Sequence, residues 1–309
     1  MDNSLKFVER KYPRLAPLVR RGVLRVSRKP AEYDERRRER RFWKGQGEPR
    51  EPETIFVLGT CHVSEASAAD VREVIEAVRP QAVVVELCKK RSGALNLAPL
   101  GQGEGPEDRS ASGALASPPS RSSLETETWV ERTTKWILRK VLSSQADRIG
   151  RELNVVPGVE FRQAVKSARD VDAEVVLGDR PIDITLKRCW VNLTMEERLK
   201  LALVLASTLV NQDQVSREVA TQISTMESEL NLDLVFEQVT ETFPGLVEPL
   251  FKERDRYMAW TLKRSKAVTN CTEVVGVIGK GHLESVLDEI EADYADQHLS
   301  FKRVARLKY

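Results

Sequence analysis

Three histidines occur among 309 residues, and two of them, His62 and His282, each stand three positions after a glycine, Gly59 and Gly279. Each follows a short apolar run and precedes a helical pattern. The repeated Gly-x-x-His step predicts that two βα turns are used alike, each delivering an imidazole to one edge of a sheet. Two neutral imidazoles and one carboxylate are a common ligand set for a catalytic divalent metal that keeps a water position open. The carboxylates that follow or adjoin neighbouring elements are Glu86, Glu160 and Asp179. With a metal at His62, His282 and Glu86, the bound water would approach a neutral pKa and a spare carboxylate could remove its proton. Without a metal, either imidazole beside Glu86 could act as a general base. Arg91, Arg180 or Arg188 could hold a substrate carboxylate or a developing oxyanion, joined by Arg254 if its helix turns it inward. Gly59, Gly279 and Gly281 would let backbone N–H groups approach an anion at a helix N-terminus.

The segment that must position these groups runs from Thr54 to Arg91. Ile55 to Leu58 is an apolar run too short for a helix and ends at Gly59, which predicts a buried strand and a tight turn. From Ala66 to Val78 apolar residues recur at three- and four-residue steps, predicting a helix that Pro80 stops. Ala82 to Glu86 is a second apolar strand ending in a carboxylate, and strands apolar on both faces are the mark of parallel pairing. The unit is a βαβ crossover with His62 and Glu86 at its carboxyl edge, where open α/β sheets place their sites. Another helix is predicted around Glu160 to Ala168, and a strand over Glu174 to Leu177 that ends in Gly178-Asp179-Arg180. A last strand, Glu273 to Ile278, leads through the second Gly-x-x-His step into a helix over Leu283 to Glu291. Helical patterns over 182–190, 195–210, 213–229 and 246–266 predict a helical block over 182–266, and Ser300 to Leu307 reads as an edge strand. The fold class is α/β, with a central, mostly parallel or mixed β-sheet flanked by helices.

Several of these residues also have purely structural readings. Asp179 could cap the following helix, Glu86 could face solvent, and Cys61 reads as a small buried residue. The run Glu253-Arg254-Asp255-Arg256 reads as a solvated helix face with pairs three or four residues apart. His298 has no partner in the sequence. A hydrophobic content of 41% suits a globular protein with a sizeable core, and a net charge of +2 names no partner. Charge is uneven, however. Residues 1–50 carry sixteen Lys/Arg against seven Asp/Glu, which predicts a separate, partly disordered basic arm able to contact an anionic membrane surface. Nothing else resembles nucleic-acid recognition, and no nucleic-acid partner is expected. Residues 92–128 are dense in Gly, Ser and Pro and predict a disordered insertion within a single domain over 54–309. Cysteines 61, 88, 189 and 271 are too scattered for a disulfide framework or zinc finger, which points to a reducing, intracellular setting. No apolar run approaches the ~18 residues of a membrane span, and the first residues lack a secretory signal.

Six ordered motifs carry a family resemblance: GTCHVS at 59–64, VVVELCKKR at 83–91, GVEFRQA at 158–164, VVLGDRPIDITLKR at 175–188, ERDRYMAWTL at 253–262 and VIGKGH at 277–282. Together they resemble the TraB domain, grouped with the Tiki and pheromone-shutdown proteins and more distantly with EreA/ChaN-like proteins. The resemblance implies an α/β core with a paired Gly-x-x-His site. In the Tiki branch that site belongs to a divalent-metal-dependent protease, which implies a Mn, Co or Zn ion and a peptide or small-molecule substrate. His62 and His282 occupy the matching positions. Glu86 and Arg91 match the family's glutamate and arginine after the second strand, and Glu160, Asp179 and Arg180 match its later motifs. Cys61 stands where Ala or Ser is more usual. The signal sequence and anchor of Tiki proteins are absent, so the expectation is a cytoplasmic or organelle-associated protein, mitochondrial or plastid. Three readings follow: a metal-dependent hydrolase of peptide or amide bonds, a non-catalytic regulatory or organelle contact-site protein, and a metal-free His/Glu hydrolase.

Overall fold

The apolar runs become neighbouring strands because each carries two apolar faces and so must be covered on both sides. In the computed structural model, which describes residues 3–39, 50–61, 65–91, 158–210 and 240–295 together with Leu299 and Ala305, they form one five-stranded sheet. The strands are β1 (Leu24–Arg28), β2 (Thr54–Thr60), β3 (Ala82–Val85), β4 (Glu174–Leu177) and β5 (Glu273–Gly279), in the order β1-β2-β5-β3-β4. β2, β5, β3 and β4 run parallel, and β1 pairs antiparallel with β2, Val26 opposite Phe56. The expected mixed α/β sheet is present.

Alternation along the strands divides the core in two. Phe56, Leu58, Val83, Val85, Val275 and Val277 face helices α4 (Glu65–Val78) and α5 (Val159–Asp170) through Val71, Val74, Ile75 and Ala164. Ile55, Val57, Val84 and Val274 face the other side, packed by Met258, Leu262, Val286 and Ile290. Those four side chains come from α9 (Glu253–Arg264) and α10 (Leu283–Tyr294). All are nearly or fully buried, and each such aliphatic side chain contributes roughly 1.5–3 kcal/mol of transfer free energy.

The basic N-terminal segment is not a separate arm. Its α1 (Asn3–Lys11), α2 (Ala16–Arg20) and β1 bury Phe7, Val8, Leu15, Leu18, Leu24 and Val26 in the same core as Phe56 and Leu58. Its charges mislead because they lie on the outer faces of short amphipathic pieces, with Leu24 and Val26 pointing inward from β1. A short helix, α3 (Tyr33–Glu39), follows. The helical block is present in part: α6 (Ile182–Asn192), α7 (Met195–Val210) and α8 (Pro244–Val247), with a π-helical turn over Glu248–Lys252 leading into α9. The pattern at 213–229 and the insertion at 92–128 lie outside the described residues. So do His298 and, Ala305 excepted, the expected strand over 300–307. Among the described residues no helix is long and apolar enough to cross a membrane.

Candidate functional site

Parallel pairing brings the carboxyl ends of β3, β4 and β5 side by side, so Glu86, Asp179 and the turn after Gly279 share one edge. β4 approaches β3 closely only because residue 178 is glycine: a Cβ there would lie 2.5 Å from Val84 Cγ1 and 3.0 Å from the Val85 carbonyl oxygen. Gly59 works likewise at the end of β2, where a Cβ would meet Leu283 Cδ2 at 3.0 Å and Lys280 Cα at 3.2 Å. The Thr60 hydroxyl donates to the Ile278 carbonyl at 3.1 Å and ties that end of β2 to β5.

The N-terminus of α9 points into this edge. Three consecutive residues, Glu253, Arg254 and Asp255, fan around its first turn, each meeting a different element. Arg254 lies at the centre. Its Nη2 donates to Glu86 Oε1 at 2.5 Å and to Asp179 Oδ2 at 3.2 Å, its Nε donates to Asp179 Oδ1 at 3.0 Å, and its Nη1 lies 3.3 Å from His282 Nε2. Burial alone would lower the Arg254 pKa, but the charges of Asp179 and Glu86 outweigh it and raise it. The guanidinium is therefore a fixed cation.

Its partners are oriented in turn. Glu86 Oε2 accepts the Gly279 N–H at 2.7 Å. Asp179 also accepts from the Arg180 N–H at 2.7 Å and from Arg91 Nη2 at 2.6 Å. Arg91 forms the rim, with 42% of its side chain exposed. His282 is nearly buried at the end of a 3₁₀ turn, its Nδ1 2.5 Å from Asp255 Oδ1 and its Nε2 3.6 Å from Glu86 Oε1. Asp255 is acceptor-only when ionised, which selects the tautomer with the proton on Nδ1 and leaves a lone pair on Nε2 facing Glu86 and Arg254. The Phe251 ring lies 6.2 Å from the imidazole.

Behind this array Glu253 is held by two arginines. Arg180 Nη1 donates to its Oε2 at 2.6 Å, Arg188 Nε donates to the same oxygen at 2.5 Å, and Arg188 Nη2 reaches Oε1. Arg180 Nε donates to Thr185, and its Nη2 donates to the Pro249 carbonyl in the π-helical turn. Burial raises the Glu253 pKa, but the bonds from Arg188 and Arg180 outweigh it and hold the carboxyl below its ordinary range. Burial lowers the Arg180 pKa despite Glu253, because Arg180 has no exposed surface.

The structure thus brings together Glu86, Asp179, Arg91, Arg254 and His282, with Arg180 and Arg188 one layer behind. Glu160 is fully buried in the first turn of α5 and is not among the carboxylates that hold Arg254. The Gly279 N–H is taken by Glu86, and Gly281 is exposed in the 3₁₀ turn. His62 lies outside the described residues. Asp255 and Glu253 were missed as site residues: the run at 253–256 is not a solvated face, since both acids are buried, Glu253 against Arg180 and Arg188 and Asp255 against the His282 imidazole. The helix expected over 246–266 is present, helical from Pro244 to Arg264 with a π-helical turn at Glu248–Lys252, and spacing along it does not show which of its charged residues meet partners from other segments.

His282 Nε2 and Glu86 Oε1, at 3.6 Å, have nearly the spacing of two ligands on one tetrahedral ion, about 3.4 Å for bonds near 2.1 Å. The position between them is taken by Arg254, and the described residues contain no group of three or more His, Cys, Asp or Glu that could hold a metal. The described donor set therefore does not fit a divalent ion as it stands.

A model of the TraB/PrgY/gumN family matches residues 42–293. A TraB domain-containing protein of Bos taurus is 30% identical over 250 residues, covering 75% of this chain and 61% of that protein. A human TraB domain-containing protein is 29% identical over the same length. An uncharacterised protein of Methanocaldococcus jannaschii is 27% identical over 234 residues, 75% of this chain and 52% of its own. The chain thus spans less than two thirds of the length of these relatives.

Proposed function

Because the chain belongs to the TraB/PrgY/gumN family, we propose that the edge around His282 is the active site of a hydrolase that cleaves a peptide or amide bond by general acid–base catalysis. The observation that carries this reading is the Asp255–His282 pair aimed at the Glu86–Arg254 pair. His282 Nε2 takes a proton from the attacking water as its oxygen bonds the scissile carbonyl carbon, and later returns that proton to the leaving nitrogen as the C–N bond breaks. Asp255 is a positioning residue: it holds the Nδ1 proton and stabilises the imidazolium formed midway. Arg254, fixed by two carboxylates and by the Leu250 carbonyl, offers the developing oxyanion the one Nη1 N–H that now faces His282, and Arg91 at the rim meets a substrate carboxylate. The 3.3 Å contact between Arg254 Nη1 and His282 Nε2 is at the long end of a hydrogen bond, so water or substrate can replace it.

The test uses chelator-treated protein and a panel of fluorogenic peptide, amide and ester substrates. Turnover should survive chelation, fall at least about 100-fold in His282→Ala, and fall comparably in Asp255→Asn with an altered pH profile. Activity lost on chelation and restored by Mn²⁺, Co²⁺ or Zn²⁺ would replace this mechanism with the metal-dependent one through His62. Absence of turnover across the panel would leave the regulatory or contact-site reading in its place.

A further inference from the structure

A second feature lies at the opposite end of the sheet. β1 runs antiparallel, so Arg28 is paired with Thr54 at the amino end of β2. α10 leaves the site at its N-terminus and ends at Tyr294, about 18 Å further along its axis. Between α1, β1, α3 and the end of α10 is a cavity of about 870 Å³. Its walls include Lys6, Arg10, Arg28 and Arg36 against a single carboxylate among the described residues, Glu291, and its apolar surface includes Phe7, Val26 and Pro30.

The cations of this segment behave in two ways. Lys11, Arg21, Arg25 and Lys29 are each paired with a carboxylate elsewhere in the fold, and Arg20 with Glu9. Lys6, Arg10 and Arg28 make no ion pair among the described residues, although they line the same concavity. Lys6 and Arg10 stand four apart on one face of α1, a spacing at which like charges repel. The Arg28 guanidinium carbon lies over the Phe7 ring, 4.7 Å from its centroid, and Arg36 is held by the Tyr294 carbonyl at 2.9 Å. Folding alone gives no reason to gather positive charge here. A multiply charged anion does.

We propose that this cavity is a binding site for a phosphate-bearing anion, separate from the His282 edge and independent of its chemistry. Guanidinium forks match the paired oxygens of phosphate, two or more negative charges are needed to balance the wall, and the apolar surface accepts the body that carries the phosphate. A soluble organic phosphate and a phosphomonoester lipid headgroup share this chemistry.

Calorimetric titration of the full chain at low ionic strength with pyrophosphate and with ATP tests the first source. Co-sedimentation with phosphatidylcholine vesicles, with and without phosphatidic acid, tests the second. Saturable one-to-one binding to at least one probe is expected, weakened by added salt. It should fall about tenfold or more in Arg10→Ala/Arg28→Ala and in Lys6→Ala/Arg10→Ala. A charge-matched control on the exposed face of α5, Lys166→Ala/Arg169→Ala, should bind as the unaltered chain does. Soluble probes binding without vesicles assign a free organic phosphate; phosphatidic acid vesicles binding, with pyrophosphate competing, assign a headgroup. No saturable binding by any probe, or the same loss in the control, would overturn the site.

Discussion

Replacing Arg254 by methionine removes one guanidinium and keeps most of the stem that packs beside it. Glu86 and Asp179, whose side chains are 5% and 3% exposed, then lose the cation between them. Removing one member of a buried ion pair costs about 3–5 kcal/mol, because the other charge stays buried and uncompensated. Here the lower end applies. Asp179 keeps Arg91 at 2.6 Å and the Arg180 N–H at 2.7 Å, and Glu86 keeps the Gly279 N–H at 2.7 Å. A loss of about 3 kcal/mol, with a urea slope near 3 kcal/mol/M, lowers the unfolding midpoint by about 1 M. Removing the stranded charges distinguishes charge from packing: in a Glu86→Gln/Asp179→Asn background Arg254→Met should cost much less than in the unaltered chain, because no buried carboxylate is left uncompensated. Arg254→Lys alone should fall between Arg254→Met and the unaltered chain, since a single ammonium cannot span both carboxylates and the imidazole. Urea titrations of these chains at pH 7 are the assay. An unchanged midpoint in Arg254→Met, or the same loss in the background without the two carboxylates, would refute the account of Arg254 as the cation that holds this edge together.

Four other outcomes are expected. Gly178→Ala places a Cβ 2.5 Å from Val84 Cγ1 and should cost about 1–3 kcal/mol in thermal unfolding, with the loss relieved in Gly178→Ala/Val84→Ala. Burial raises the Asp293 pKa, but Lys263 and Arg264 outweigh it and hold the carboxyl at about 2, against 3.8 unfolded, so the group contributes about 2 kcal/mol. That contribution is complete above pH 3.8 and lost as pH falls through 2. Melting curves should show this acid-side slope, and Asp293→Asn should lack it. Buried Lys263 acts in the opposite sense: burial lowers its pKa, so stability should rise again as pH approaches 10.5. Burial pushes the Cys189 thiol up to about 12, while Cys61 is exposed, so iodoacetamide at pH 8 should label Cys61 and reach Cys189 only in denaturant, as read by mass spectrometry.

The strands β2, β3, β4 and β5 were legible because each is an apolar run between turn residues, and the edge they share followed from their parallel pairing. β1 was not. Leu24-Arg25-Val26-Ser27-Arg28 does alternate, but it sits among sixteen basic residues whose charge suggested an arm. The candidate site was half legible. Glu86, Asp179 and His282 follow strands and were found by position, whereas Asp255 and Glu253 owe their burial to partners 27 residues away at His282 and 65 to 73 away at Arg188 and Arg180. Spacing within a helix reports which residues share a face; it does not report a cation arriving from elsewhere in the chain. Arg254 was named only conditionally for the same reason.

The match to the family begins at residue 42, yet the sheet begins at Leu24. Anyone trimming this protein to the matched boundary would strip away β1 and leave the backbone of β2 bare along its whole outer side, with Phe56 and Leu58 uncovered below it. A bare strand edge beside exposed aromatic and aliphatic groups invites other chains to add to it. Insoluble product from such a shortened gene would say nothing about the family fold; it would report the missing first 41 residues, β1 among them.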